Sequence, residues 1–276
     1  MFRLRSNSEY SAARAAAALA TAILLLGVWP SQATAQSPHP SHEVWVGAYA
    51  AQTTWFAYTG GTTAPFGDLD HDGFRLRAVA GHGEYRFEGF SLVKRGRTLV
   101  LDRIAFRDRV TFTDALAGYM MQIGALTAKG FAGLAFVDHD VSAPPGFLAA
   151  TEGTDWGAKV QIELWYDDGG PFWSAVNAGY TTAQNSYSIN VRGGIRLGDS
   201  SSPLSVGTEL TIDNHGAQGP ALTGAYARGG AFVRYAWDSG EISLSGGLIA
   251  DLDDEAGLII EEQYSTYGGL SILTKF

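Results

Sequence analysis

From Trp156 to Tyr166 the chain alternates between two kinds of side chain. Trp156, Ala158, Val160, Ile162, Leu164 and Tyr166 fall on one face of an extended ribbon, and Gly157, Lys159, Gln161, Glu163 and Trp165 on the other. Tyr187 to Gly198 repeats the pattern. Tyr187, Ile189, Val191, Gly193, Ile195 and Leu197 oppose Ser188, Asn190, Arg192, Gly194, Arg196 and Gly198. Leu204 to Ile212 and Ile242 to Ala250 alternate in the same way. Period two excludes an amphipathic helix, and long helical periodicity is absent after Ala35. A chain built this way folds as β-strands with one greasy and one wet face.

Read along its length, the sequence predicts about twelve strands, near 43–51, 54–64, 73–87, 107–123, 126–138, 154–166, 171–183, 186–198, 203–213, 223–237, 240–251 and 264–276. The alternation slips near His82 to Arg86. The fourth, sixth, eighth and tenth connections are short turns. The third, fifth, ninth and eleventh are long, at about 88–106, 139–153, 214–222 and 252–263. Outer-membrane barrels have an even strand number, short periplasmic turns and long external loops. The short first and seventh connections depart from that rule.

The N-terminus bears the marks of export. Arg3 and Arg5 precede an apolar run from Ala15 to Val28, and Ala33-Thr34-Ala35 is a small-x-small cleavage site. The run is too short for the roughly 20 residues of a membrane-spanning helix. Residues 1–35 therefore read as a signal peptide and 36–276 as the barrel. Cleavage would remove Arg3, Arg5, Arg14 and Glu9, taking 19 basic and 28 acidic residues to 16 and 27, a net charge near −11. That sign argues against a nucleic-acid partner.

The chain has no cysteine, which removes disulfide staples, a lipidated cysteine and thiolate chemistry. It is 46% apolar and only 17% charged. A soluble barrel or sandwich would show the same period. Three features favour lipid instead. Many strands exceed ten residues, which suits the 9–11 residue tilted span. Aromatics sit at strand ends, as at Trp45, Trp55, Trp156, Tyr166, Trp173, Tyr187, Tyr264 and Phe276, a girdle pattern. The chain closes on Phe276, with Thr274, Ile272 and Leu270 on its face, similar to the terminal signal read by the barrel-insertion machinery. The expectation is an all-β, antiparallel up-and-down transmembrane β-barrel in the outer membrane of a Gram-negative bacterium, in contact with its lipid.

In such a barrel the polar faces line the lumen. They carry Arg75, Arg77, Lys159, Gln161, Glu163, Asn190, Arg192, Arg196, Glu209, Arg228, Arg234 and Glu241. Two readings stand. The residues form a paired network that fills the barrel, or they line an Arg-rich path for an anionic or hydroxyl-rich solute. Asp68-Leu69-Asp70-His71-Asp72-Gly73 resembles the start of a calcium loop, but Val79 stands where the closing Glu belongs, so it reads as a periplasmic turn. Asp251, Asp253, Asp254, Glu255, Glu261 and Glu262 read as a solvated external loop, with Asp138-His139-Asp140 treated alike. His39, His42, His71, His82, His139 and His215 lie at the N-terminus, in turns or near strand ends, and no G-x-S-x-G is present. No catalytic residue, metal ligand or cofactor is assigned.

Several ordered pieces together resemble the BcsS family of cellulose-biosynthesis-associated proteins of alphaproteobacteria. They are Trp55-Phe56-Ala57-Tyr58-Thr59-Gly60-Gly61, Gly67-Asp68-Leu69, Asp72-Gly73-Phe74-Arg75-Leu76-Arg77, Ala117-Gly118-Tyr119 and Asp138-His139-Asp140. Gly157 to Tyr166, Tyr180-Thr181-Thr182-Ala183 and the closing Phe276 complete the set. The resemblance implies an outer-membrane barrel that is an accessory of cellulose biosynthesis, export or surface attachment. Cellulose and the export apparatus would be its partners, and no enzymatic activity is implied. A narrow Arg-lined channel and a structural or adhesive surface barrel are the alternatives.

Overall fold

The computed structural model describes residues 39–95, 98–142, 153–199, 201–214, 225–251 and 264–276. The expected signal peptide, the acidic loop at 252–262 and His215 lie outside them. Twelve strands follow one another: β1 (His42–Ala51), β2 (Thr54–Thr63), β3 (Gly73–Arg95), β4 (Thr98–Ile123), β5 (Leu126–Ser142), β6 (Gly153–Asp167), β7 (Phe172–Thr181), β8 (Ser186–Arg196), β9 (Leu204–Asn214), β10 (Ala225–Trp237), β11 (Gly240–Asp251) and β12 (Ser265–Lys275). Each pairs antiparallel with the next, and β1 closes on β12 from Glu43↔Lys275 to Ala51↔Tyr267. The amides of Ser41 and His42 donate to the Phe276 carbonyl, and the Phe276 amide donates back to His42. The last strand thus stays paired to the end of the chain and the sheet has no open edge.

The apolar faces point outward. Trp156 is 70% exposed and Ile162 56%, and Val160, Leu210, Leu244 and Leu248 share that surface. The ten residue steps from Trp156 to Tyr166 cover about 33 Å of strand, or about 25 Å along the axis of a barrel tilted near 40°, the height of an outer-membrane apolar band. Outward aromatics border it. Phe74, Tyr119, Tyr166, Phe172, Tyr235 and Trp237 lie toward the rim that holds Phe276, the C-terminal rim. Trp55, Trp156, Tyr180 and Tyr187 lie toward the opposite one, the loop rim.

Two expected girdle members belong elsewhere. Trp45 and Trp173 point inward, beneath arginines. The expected loop at 88–106 is also corrected. Here β3 and β4 continue as one hairpin, paired without a slip from Gly73↔Met120 to Arg95↔Thr98. The slip read near His82 has a physical cause. Gly81 and Gly83 occupy inward positions, where the apolar surface comes from rings across the sheet. A Cβ on Gly81 would meet the Phe112 ring at 2.3 Å, and one on Gly83 the Phe56 ring at 2.1 Å. The same cross-strand pairing of an inward ring with a glycine recurs at Trp45↔Gly60, Tyr58↔Gly47, Phe131↔Gly118, Trp173↔Gly194 and Phe232↔Gly207. Each ring lies flat over the wall, replacing packing that the glycine lacks. The short seventh connection is a 3-10 turn at Ala183–Asn185, which Gln184 and Asn185 enter at φ 54° and 49°.

Candidate functional site

All twelve charged and polar residues singled out from the strand faces point inward, because each shares strand parity with a lumen-facing partner across the sheet. The structure brings them together in groups that cross the barrel. Toward the C-terminal rim, the Arg77 guanidinium makes a two-pronged ion pair with Glu163, its second arm at 3.0 Å. Arg77 also donates to Thr62 at 3.0 Å and lies 3.7 Å from Glu43. Its flat face covers the Phe131 ring at 4.0 Å and the Trp45 ring at 5.0 Å. Lys129 stands 3.8 Å from both Glu43 and Glu163. These bonds link β1, β2, β3, β5 and β6, so they leave the wall and span the interior. The Arg77 side chain is only 3% exposed, and a buried charge is tolerable only when paired in this way.

A second group faces it from the other side. Arg196 pairs with Asp167 at 2.5 Å and Arg234 with Glu241 at 2.5 Å. Trp165 and Trp173 stack with centroids 4.8 Å apart. Arg234 sits 5.2 and 5.0 Å from the two rings. The Trp173 indole donates to Ser205 at 3.2 Å. Arg192 lies 4.1 Å from the Phe232 ring centre and donates to Ser243 at 2.6 Å.

Above these groups lies a cavity of about 450 Å³. Arg228 covers Tyr49 at 3.9 Å and approaches Tyr267 at 5.4 Å. Tyr267 donates to Glu209 at 2.8 Å, and the Tyr49 and Tyr226 hydroxyls are 3.1 Å apart. Lys159 pairs with Asp114 across the cavity wall, Asn190 donates to Thr211 at 2.7 Å, and Gln161 bridges Glu163 and Asn177. The charged lining comprises Arg77, Lys159, Arg192 and Arg228 against Asp114, Glu163, Glu209 and Asp213. The signs balance.

Arg75 stands apart from this cavity. It binds the His71 carbonyl at 2.6 Å and Met120 Sδ at 3.3 Å near the C-terminal rim, and so pins the turn after β2. Sequence reasoning missed Glu43, Asp114, Lys129, Tyr49, Tyr58 and Tyr267. On β1 the inward set is Glu43, Trp45, Gly47 and Tyr49, which mixes charge, ring and glycine. The alternation there becomes legible only through its outward partners Val44, Val46, Ala48 and Ala50.

Asp138-His139-Asp140 is part of β5 and not a solvated loop. His139 is buried, with Nδ1 2.7 Å from Asp108 Oδ2, and Tyr85 donates to the same carboxylate at 2.5 Å. Asp140 pairs with Arg109 at 3.5 Å. The calcium-like stretch is a turn. Asp68 accepts from the Asp70 amide and lies 2.8 Å from His71, while Leu69 donates to the Pro40 carbonyl at 2.7 Å. The His71 hydrogen bond holds the Asp68 carboxyl below its ordinary range, and that bond raises His71 above its own. His39, Asp68 and His71 bring three ligand atoms within 4.8 Å of one another, with both imidazoles exposed.

A family model described as Cellulose biosynthesis protein BcsS matches residues 44–276. The chain belongs to this family. The match begins two residues into β1 and ends at Phe276, so it covers the closed BcsS barrel from seam to seam. Membership gives the protein an accessory role in cellulose biosynthesis. No curated protein matches the sequence. Solved structures similar to this BcsS member include a KdgM porin, at 8% identity and TM-score 0.44 over 85% of this chain and 99% of that one. The translocator domain of the autotransporter NalP from Neisseria meningitidis matches at 10% identity and TM-score 0.44 over 99% and 100%. The transport unit of the autotransporter AIDA-I from Escherichia coli matches at 11% and TM-score 0.42 over 99% and 100%. None of these likenesses bears on function.

Proposed function

We propose that the protein is exported, loses its leader after Ala35, and serves cellulose biosynthesis from the outer membrane of a Gram-negative, alphaproteobacterial cell. There it acts as a non-catalytic accessory barrel in cellulose biosynthesis, export or surface attachment that does not conduct the polymer through its centre. The carrying observation is the set of bonds that crosses the lumen: Arg77 to Glu163 and Glu43, and Lys129 to both carboxylates. A polymer threading the barrel would have to break them, and each broken buried pair costs several kcal/mol. The outward apolar band of about 25 Å and its aromatic borders support lipid as the surrounding medium. A channel selective for anions is less well supported, since the lumen arginines are matched by carboxylates.

The test is deletion of the gene with a cellulose stain, followed by complementation, and single-channel recording of the purified barrel. The expected result is reduced surface cellulose, restored by the wild-type chain, with negligible conductance. Normal cellulose after deletion together with no conductance would leave only a structural or adhesive surface barrel. A steady open conductance would refute the closed lumen.

A further inference from the structure

Among the described residues, buried polar atoms without a hydrogen-bond partner gather in the wall of the lumen cavity. Arg228 Nε and Nη1 and Arg192 Nε are buried and have no hydrogen-bond partner. Arg192 Nε faces Glu209 at 3.5 Å, an ion-pair distance and not a hydrogen bond. Orphaned guanidinium donors around a cavity call for an acceptor. A simple anion is a poor fit, because four carboxylates balance the four cations of the lining. A ligand whose groups both donate and accept suits such mixed walls, and hydroxyls do both. Asn190, Thr211 and Ser243 add further neutral partners.

The rings supply the second requirement. Tyr58 lies flat against Gly47, where a Cβ would fall 2.4 Å from its ring, and Phe112 lies flat over Gly81. Both line the cavity. Flat, wall-mounted rings are platforms for a ligand with an apolar face and a polar edge. A pyranose ring has that shape: axial C–H groups on its faces and hydroxyls around its rim. The volume of about 450 Å³ lies within the roughly 300–1,000 Å³ of small-molecule sites.

We propose that this cavity binds a short, neutral β-glucan segment, with sugar hydroxyls accepting from Arg192 and Arg228 and a ring face on Tyr58 or Phe112. The choice of β-glucan rests on the cellulose reading; the neutral, hydroxyl-rich class rests on the cavity alone.

The experiment is calorimetric titration of the full-length mature barrel, folded in detergent, with cellotetraose and with the equally long anion tetragalacturonate. Cellotetraose should bind saturably and at least about tenfold more tightly than the anion. Arg228→Gln and Tyr58→Leu should each weaken it about tenfold, the loss of one charge-assisted hydrogen bond or one ring contact. Heat-modifiable gel migration confirms that each variant is folded, and the Tyr58 variant carries the comparison should the Arg228 one misfold. No saturable cellotetraose binding by folded wild-type barrel overturns the inference. So does equal or tighter tetragalacturonate binding, or unchanged affinity in both variants. A cellulose phenotype on deletion with no sugar binding sinks this inference and leaves the proposed function standing. Sugar binding without that phenotype does the reverse.

Discussion

Arg77→Met tests whether the lumen is held shut by a cooperative pair or merely decorated with charge. The substitution keeps an apolar stem against Phe131 and Trp45 but deletes the guanidinium. It removes both arms of the Glu163 pair, the Thr62 bond and the 3.7 Å approach to Glu43. Truncating one partner of a buried pair costs about 3–5 kcal/mol. Two observations reduce that figure. Glu163 retains 22% exposure, and Lys129 remains 3.8 Å from both stranded carboxylates. The expected loss is therefore about 2 to 4 kcal/mol, much of it from the orphaned Glu163. Removing both partners, as in Arg77→Met with Glu163→Leu, should return the barrel to within about 1 kcal/mol of wild type, because no buried charge is then left without its mate. The assay is urea-dependent unfolding in lipid vesicles, followed by tryptophan fluorescence and gel migration. The interaction energy from the double-mutant cycle should reach about 2 kcal/mol. If the double variant is as unstable as the sum of the two singles, the bonds are not coupled and the closed-lumen argument fails.

Three further outcomes follow from the same geometry. Ile162→Lys places a charge midway along the outward band of β6 and should destabilise the barrel by about 2–4 kcal/mol in vesicles, while the same change at Trp156, on the rim, should cost about 1 kcal/mol or less; equal costs would mean that the band is not in lipid. Gly83→Val forces side-chain atoms into the Phe56 ring, where even a Cβ would fall at 2.1 Å, and should sharply lower the folded fraction by gel shift; wild-type folding would show that the ring does not need the glycine. His71 should titrate by NMR with a midpoint above the ordinary histidine value of about 6.5, and Asp68→Asn should bring it down. The His71 contribution to holding the turn is present below that ordinary value and fades as pH rises through the raised one. The Asp68 contribution is present above the usual carboxylate range and fades as pH falls through the lowered one, so the turn should be tightest in mildly acidic solution. A His71 midpoint unmoved by the Asp68 variant would remove the pair from the account.

The barrel was legible because an apolar outer face and a charged interior impose the same two-residue period on strands such as β6 and β8, where apolar and polar residues simply alternate. β1 and the β3–β4 hairpin were harder. Their inward faces read Glu43, Trp45, Gly47, Tyr49 and Gly81, Gly83, Tyr85. A ring flattened over a cross-strand glycine satisfies the wall as well as a lysine does, yet it breaks any polarity code. Trp45 and Trp173 were misread for the same reason. An aromatic at a strand end marks a membrane border only if it points outward, and single-strand position does not reveal which rings serve as seats for arginines. Individual lumen residues were visible from parity. Their pairing was not, because Arg77 finds Glu163 three strands around the barrel, a relation no local pattern encodes.

The pairing changes what the arginines can mean. A row of unpaired guanidiniums would make an anion path, which the sequence alone allowed. In the folded barrel Arg77, Arg192, Arg196, Arg228 and Arg234 are each spent on a carboxylate, a ring or both, and the unpartnered donors among them belong to Arg192 and Arg228 beside a cavity of balanced charge. Toward the C-terminal rim the interior is crossed by ion pairs and stacked indoles. A barrel whose one side of the lumen is bonded shut, and whose remaining space is lined with rings and hydroxyl partners, is built to hold a polar ligand in place. For a protein of a cellulose biosynthesis family, a seat for sugar in an otherwise closed barrel joins the fold to the process more directly than a pore would.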